Sequence, residues 1–130
     1  MTDEGATLFR RFHEAWSRGD LATVRTLVDP DVVARPLHGL LFTRMEFRGR
    51  DGIEDWYHEM TDPWERFEAR VEDVHETDDG AKGVVRVAGY RGDEEFFARV
   101  GSVCTIRDGR IASLTARNVG DVEAEMARGE

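Results

Sequence analysis

Four histidines, a single cysteine and two arginines set on apolar stretches are the residues of this 130-residue chain that could do chemistry. His38 stands beside Gly39 on a greasy connection, where an imidazole that titrates near neutrality could hang over a pocket and serve as general base; the other reading is a surface or mouth-lining histidine. His13 flanks the apolar face of a helical stretch and reads as structural, and His58 lies opposite the Ile53, Trp56, Tyr57, Met60 face and points to water. His75 sits in an acidic run over residues 72–79, which a solvated strand end explains better than a metal site. Arg35 and Arg99 read either as a clamp for a carboxylate, phosphate or enolate oxygen or as halves of internal ion pairs with acids such as Asp73 or Glu68. Cys104 has no partner for an internal disulfide and reads as a small core hydrophobe. No phosphate loop, zinc-spaced Cys/His cluster, Gly-x-Ser-x-Gly elbow or dinucleotide fingerprint occurs, so neither a metal nor a cofactor is expected.

The elements that must position these groups are legible from periodicity. Leu8, Phe9, Phe12, Ala15 and Trp16 fall on one helical face, Gly19-Asp20 breaks the chain, and Asp20 is suited to cap a second helix carrying Leu21, Val24, Leu27 and Val28, which stops before Pro30. A short strand over 32–35 follows, then the apolar connection with Leu40, Leu41, Phe42, Met45 and Phe47. A third helix opens with Asp51 and Glu54 at capping-box spacing. Four strands are predicted over 67–76, 82–91, 95–107 and 110–119, joined by turns at Asp79-Gly80, Gly92-Asp93 and Asp108-Gly109, with a turn or two of helix after Asp121. The pattern is α+β: helices covering a curved, mostly antiparallel sheet in one domain over 1–130.

Asp108-Gly109 is a two-residue hairpin loop suited to a type I′ turn, and it sets a register in which Arg107 faces Arg110 and Ile106 faces Ile111. Continued outward, one face carries Val100, Ser102, Cys104, Ile106, Ile111, Ser113, Thr115 and Arg117; the other carries Phe97, Arg99, Gly101, Val103, Thr105, Ala112, Leu114, Ala116 and Asn118. Neither face reads as fully solvated, which predicts helices on one and a second copy of the chain on the other, a homodimer.

Composition bounds the rest. Hydrophobic residues make up 40% and charged residues 35%, as in a globular domain, and no apolar run approaches a membrane span. A net charge of −9 argues against nucleic acid and anionic membrane surfaces as partners. The acidic start Met1-Thr2-Asp3-Glu4 is unlike a signal peptide, so the cytoplasm is the expected compartment.

The order of the segments Phe12-His13-Glu14-Ala15-Trp16-Ser17-Arg18-Gly19-Asp20, Asp29-Pro30-Asp31-Val32-Val33, Phe47-Arg48-Gly49-Arg50-Asp51-Gly52-Ile53 and Arg107-Asp108-Gly109-Arg110-Ile111 resembles the SnoaL-like branch of the nuclear transport factor 2-like superfamily over roughly residues 8–126. The resemblance implies a cone, a bent sheet wrapped around N-terminal helices with a mainly apolar pocket, commonly in a dimer. It also implies a choice among ketosteroid isomerases, polyketide cyclases, epoxide hydrolases, dehydratases and non-catalytic binding domains, which fold alone does not make. The isomerase tyrosine matches Phe12, which lacks a hydroxyl, and the general-base aspartate matches Arg35 before Pro36, a permanent cation that cannot abstract a proton. The second oxyanion donor falls near Gly101 or Ser102, the epoxide-hydrolase acid falls on Ala116, and no Asp or Glu lies between Ile111 and Val119.

The same anchoring turns Leu114, Ala116 and Asn118 into the cone, although the hydrophobic count favours the opposite face. The pocket expected on that choice has walls that include Phe12, Trp56, Phe97, Leu114 and Ala116, with Arg35, Arg99 and Asn118 as polar groups and His38 and Tyr57 near the mouth. Such a site suits a small apolar or partly anionic molecule. The leading reading is a small-molecule-binding domain; the alternative is an isomerase, cyclase or dehydratase using His38 as base and Arg35 or Arg99 to stabilise an oxyanion.

Overall fold

The computed structural model describes residues 4–36 and 45–129. Helix α1 (Glu4–Arg18) presents Leu8, Phe9, Phe12, Ala15 and Trp16 as its buried face. It ends where Gly19 adopts φ +69°, a left-handed conformation that lets Gly19 N–H donate to Trp16 O (3.0 Å) and Asp20 N–H to Ala15 O (2.9 Å). Asp20 then caps α2 (Leu21–Leu27), its carboxylate accepting from Thr23 N and Thr23 Oγ1. These two hydrogen bonds hold the Asp20 carboxyl below its ordinary range.

Strand β1 (Val28–Arg35) begins earlier than the sequence pattern predicts. Val28 leaves the helix because it pairs with Ile111 of β6, and both side chains are wholly buried there. A two-residue strand, β2 (Phe47–Arg48), leads into α3 (Gly49–Thr61). The expected capping box does not form. Arg48 precedes α3 without a side-chain cap, and Asp51 and Glu54 both reach Arg25 of α2 instead, at 3.0 and 3.1 Å.

The long strands are β3 (Arg66–Thr77), β4 (Gly80–Arg91), β5 (Glu94–Arg107) and β6 (Arg110–Arg117), followed by α4 (Val119–Ala127). Together with β1 and β2 they form a six-stranded sheet in the order β2-β1-β6-β5-β4-β3, antiparallel except where β1 runs parallel to β6. The first hairpin turns at Asp78-Asp79, one residue before the expected position, because Gly80 is needed in the strand. A Cβ on Gly80 would lie 2.0 Å from Cys104 O, and one on Gly5 would lie 2.1 Å from Gly80 O, so the start of α1 seats directly on backbone. Glu76 of β3 completes that joint by accepting from Gly5 N (2.8 Å) and Ala6 N (2.9 Å), two amides the helix itself cannot satisfy.

Asp108 and Gly109 make the predicted turn, with φ +53° and +76°, and Arg107 pairs with Arg110 and Ile106 with Ile111. One residue later the register departs from the simple ruler. Thr105 pairs with Ser113 rather than Ala112, Cys104 with Leu114 and Ser102 with Ala116. Ala112 is the extra residue of a β-bulge, and beyond it every side chain of β6 changes face. Leu114 and Ala116 thereby join Val100, Ser102 and Cys104 on the face packed against α1, the inner face. Ser113 turns to the outer face, where its Oγ lies 2.6 Å from Thr105 Oγ1.

The core lies between α1, α3 and the inner face, with Phe9, Phe12, Phe47, Ile53 and Ile111 fully shielded. Helix α4 lies on the outer face over β4 and β5, its Val122 and Met126 against Val84. It is longer than the turn or two expected after Asp121. A Cβ on Gly101 would stand 2.7 Å from Val122 Cγ2, so the glycine gives α4 its seat. Glu125 of α4 binds Lys82 (2.7 Å) and Arg117, which holds its carboxyl down at about 2, the Arg117 hydrogen bond being the larger cause. Part of the face assigned to a second copy is therefore covered by the chain's own last helix.

Candidate functional site

A cavity of about 80 Å³ opens between the helices and the inner face. Helix α1 supplies Phe12, His13 and Trp16, and α3 supplies Trp56 and Met60. The sheet supplies Phe67 and Ala69 from β3, Val85 and Val87 from β4, Phe96, Val100 and Ser102 from β5, and residues 114–116 from β6, with Pro36 at the rim. The aromatic wall is continuous: Phe12 and Trp16 have ring centroids 5.4 Å apart, Trp16 and Trp56 4.7 Å, and Phe47 stacks behind Trp56 at 6.2 Å. Among the described residues that line it there is no Asp, Glu, Lys or Arg.

The ionisable side chain that does line it is His13. Its Nδ1 lies 2.8 Å from the carbonyl oxygen of Phe9, one helical turn back, and a carbonyl can only accept, so Nδ1 carries the proton and Nε2 is the lone-pair nitrogen. The ring is wedged between Phe9 (4.5 Å) and Phe12 (5.2 Å). Burial pushes its pKa down to about 4, and the bond to Phe9 offsets that only in part, so His13 is neutral at pH 7. Ser102, also buried, adds a hydroxyl to the lining. Trp56 Nε1 is buried with no hydrogen-bond partner among the described residues.

Of the residues expected at the site, Phe12, Trp56, Leu114 and Ala116 meet at this cavity. Phe97 and Arg99 do not, because alternation along β5 places them on the outer face once Phe96, Val100 and Ser102 face inward. Phe97 is half exposed beneath the Arg86 guanidinium (5.1 Å). Arg99 is held by Glu72 (2.7 Å) and Glu123 (2.9 Å), which raise its pKa further, Glu72 being the larger cause. Those groups line a mixed-charge groove of about 380 Å³ between α4 and the sheet, separate from the cavity. Arg35 is paired with Glu46 at 3.3 Å and half exposed. Both arginines of the expected clamp thus sit in ion pairs, three in all, with acids other than Asp73 and Glu68. Asn118 caps α4, its Oδ1 accepting from Asp121 N at 3.2 Å, and Tyr57 packs edge-on to Trp16 at 5.2 Å outside the lining. His38 lies outside the described residues.

The acidic run disperses rather than converging: Glu72 goes to Arg99, Asp73 lies 3.5 Å from His75, and Glu76 caps α1. Cys104 is fully buried, and burial pushes its thiol up to about 11, leaving it inert. The reading from sequence missed the inward set of β5 and His13. The hydrophobic count along β5 was the signal for the first; for the second, position 13 lies one turn after Phe9 on a helix whose apolar face was already defined.

The model for the SnoaL-like domain matches residues 9–114, and the chain belongs to that family. Among solved structures, Bal32a from a soil-derived mobile gene cassette is 23% identical with a TM-score of 0.76, the alignment covering 88% of each chain. A candidate polyketide cyclase from Sinorhizobium meliloti is 21% identical over 85% of this chain and 94% of its own, with a TM-score of 0.69. An LEH-like epoxide hydrolase of Mycobacterium tuberculosis is 21% identical over 98% of this chain and 92% of its own, with a TM-score of 0.73. At these identities the likeness establishes the fold. No curated protein matches the chain by sequence. Among the described residues no helix is long and apolar enough to cross a membrane.

Proposed function

Starting from membership of the SnoaL-like family, we propose that this protein binds a small, largely apolar molecule in the cavity between α1, α3 and the inner sheet face. The observation that carries the reading is the lining itself: an aromatic wall from two helices facing short aliphatic and aromatic side chains from four strands, with no Asp, Glu, Lys or Arg among the described residues there. A ligand there gains by leaving water and meets only a few polar contacts, the pattern of a binding site more than of a charged catalytic centre. Trp16 and Trp56 both touch the cavity, so occupancy should alter tryptophan emission.

The test is native mass spectrometry of protein purified from its own host, paired with a fluorescence titration with p-xylene as a probe. A retained small molecule, or saturable quenching reversed by washing out the probe, is the expected result. Protein that carries nothing and whose emission ignores the probe refutes the reading. The outer face beside α4, with exposed Phe97 and half-buried Val33 and Val103, supports a second copy of the chain as a further partner; a monomer by light scattering at assay concentration refutes that part.

A further inference from the structure

We propose that His13 selects the ligand, accepting a hydrogen bond at Nε2 from an uncharged molecule that carries a hydroxyl on a flat ring. The inference rests on the binding reading above and narrows it to a chemical class. Three observations lead there. First, the tautomer is locked: Nδ1 is committed to Phe9 O at 2.8 Å, so the nitrogen left for a ligand is an acceptor and not a donor. Second, the ring cannot readily change role, because it is fixed between Phe9 and Phe12 and burial keeps it neutral, with about 4 as the pH at which it takes up a second proton. Third, among the described residues the rest of the lining offers no cation for an anion to meet.

These facts sort ligands by class. A carboxylate presents only lone pairs; facing Nε2 it meets another lone pair, and it surrenders its hydration with no positive charge in return. A bare hydrocarbon fits the walls but leaves Nε2 unsatisfied. A ketone or ether alone has no proton to give. A hydroxyl donates to Nε2, and the Ser102 hydroxyl can serve a second oxygen. Phe12, Trp16, Trp56 and Phe96 favour a ring over a branched chain, by offset and edge-on contact. The volume, about 80 Å³, is room for about three waters and roughly half of a cavity that encloses benzene, so a single ring is the largest unit it admits, with the remainder at the open mouth.

The experiment uses three probes on the full chain at pH 7, titrated by tryptophan fluorescence: the isosteric pair p-cresol and p-xylene, and the larger anion 4-methylbenzoate. The expected order is p-cresol about tenfold tighter than p-xylene, the ratio one neutral hydrogen bond supports, with 4-methylbenzoate weakest. In wild-type protein the Nε2 nitrogen resonance of His13 should shift with p-cresol and stay in place with p-xylene, a readout that needs no variant. In His13→Phe the two probes should bind equally, while in Ser102→Ala the p-cresol preference should persist. Equal binding of p-cresol and p-xylene to wild type, or a tighter 4-methylbenzoate, overturns the role of His13 and leaves the cavity reading standing. A preference that survives in folded His13→Phe but vanishes in Ser102→Ala moves selection to the serine and likewise overturns it. Absence of binding by all three probes overturns the cavity reading and this inference together.

Discussion

Replacing His13 by glutamine should flatten the dependence of stability on pH between 5 and 7, and the size of the effect follows from its surroundings. His13 is 8% exposed, and its pKa is lowered from 6.5 to about 4 by burial. In the unfolded chain the same imidazole titrates near its ordinary value, so between pH 6.5 and pH 4 the unfolded state binds more protons than the folded one. Stability contributed by a depressed histidine is therefore complete above the unfolded pKa and is lost as pH falls toward the folded one. The full difference corresponds to about 3 kcal/mol, of which about 2 kcal/mol falls between pH 7 and pH 5. For a domain of this size that shift lowers the melting temperature by roughly 7 °C. Urea unfolding at half-unit steps of pH on wild type and His13→Gln reads it directly. The other histidines and the carboxylates are common to both proteins and cancel in the difference. A variant whose stability falls with pH as steeply as wild type refutes the argument, because the imidazole would then be titrating somewhere wet.

Two further perturbations test the frame that holds the cavity. Glu76→Ala removes the carboxylate that accepts from Gly5 N and Ala6 N, and should cost about 1–2 kcal/mol in urea unfolding, with Glu76→Gln intermediate because its amide oxygen still accepts; amide exchange at the start of α1 should rise in step. Deleting Ala112 removes the bulge yet leaves Thr105 opposite Ser113 and Cys104 opposite Leu114, so the straight hairpin keeps Leu114 and Ala116 on the inner face. That variant should fold and stay within about 1–2 kcal/mol of wild type in urea, and a loss of more than about 4 kcal/mol would show that the bend itself is required.

Much of the frame was legible because the physics that sets it is local. The apolar faces of α1 and α3, the glycine stop at Gly19, the Asp20 cap and the Asp108-Gly109 turn each depend on a few neighbouring residues, and each stands where periodicity or turn chemistry puts it. What was not legible depends on distant partners. The Asp51 and Glu54 spacing satisfies the capping-box pattern, yet Arg25, which competes for both carboxylates, is invisible until α2 and α3 meet. Val28 suits the apolar face of α2 and is taken by β1 because Ile111 lies beside it in the folded sheet.

The site depends on a single residue of this second kind. Ala112 is small and apolar, with no glycine or unusual backbone preference to mark a bulge, so the hairpin ruler runs straight past it. Its effect is to decouple the two strands of the hairpin. With the bulge, Leu114 and Ala116 share a face with Val100 and Ser102; were Ala112 paired straight across from Thr105, they would share one with Phe97 and Arg99. The expected pocket and the cavity therefore share the β6 residues and differ in the β5 ones. It also removes a conflict within the sequence, in which the family anchoring favoured Leu114 and Ala116 as inward and the hydrophobic count favoured Val100 and Cys104. Both indications are compatible once one extra residue lies between them. The charge that the exchange carries away is the consequence for function: Arg99 leaves for the outer face and the acids of Glu72 and Glu123, and a neutral histidine with a fixed tautomer becomes the polar group through which the cavity can tell one ring from another.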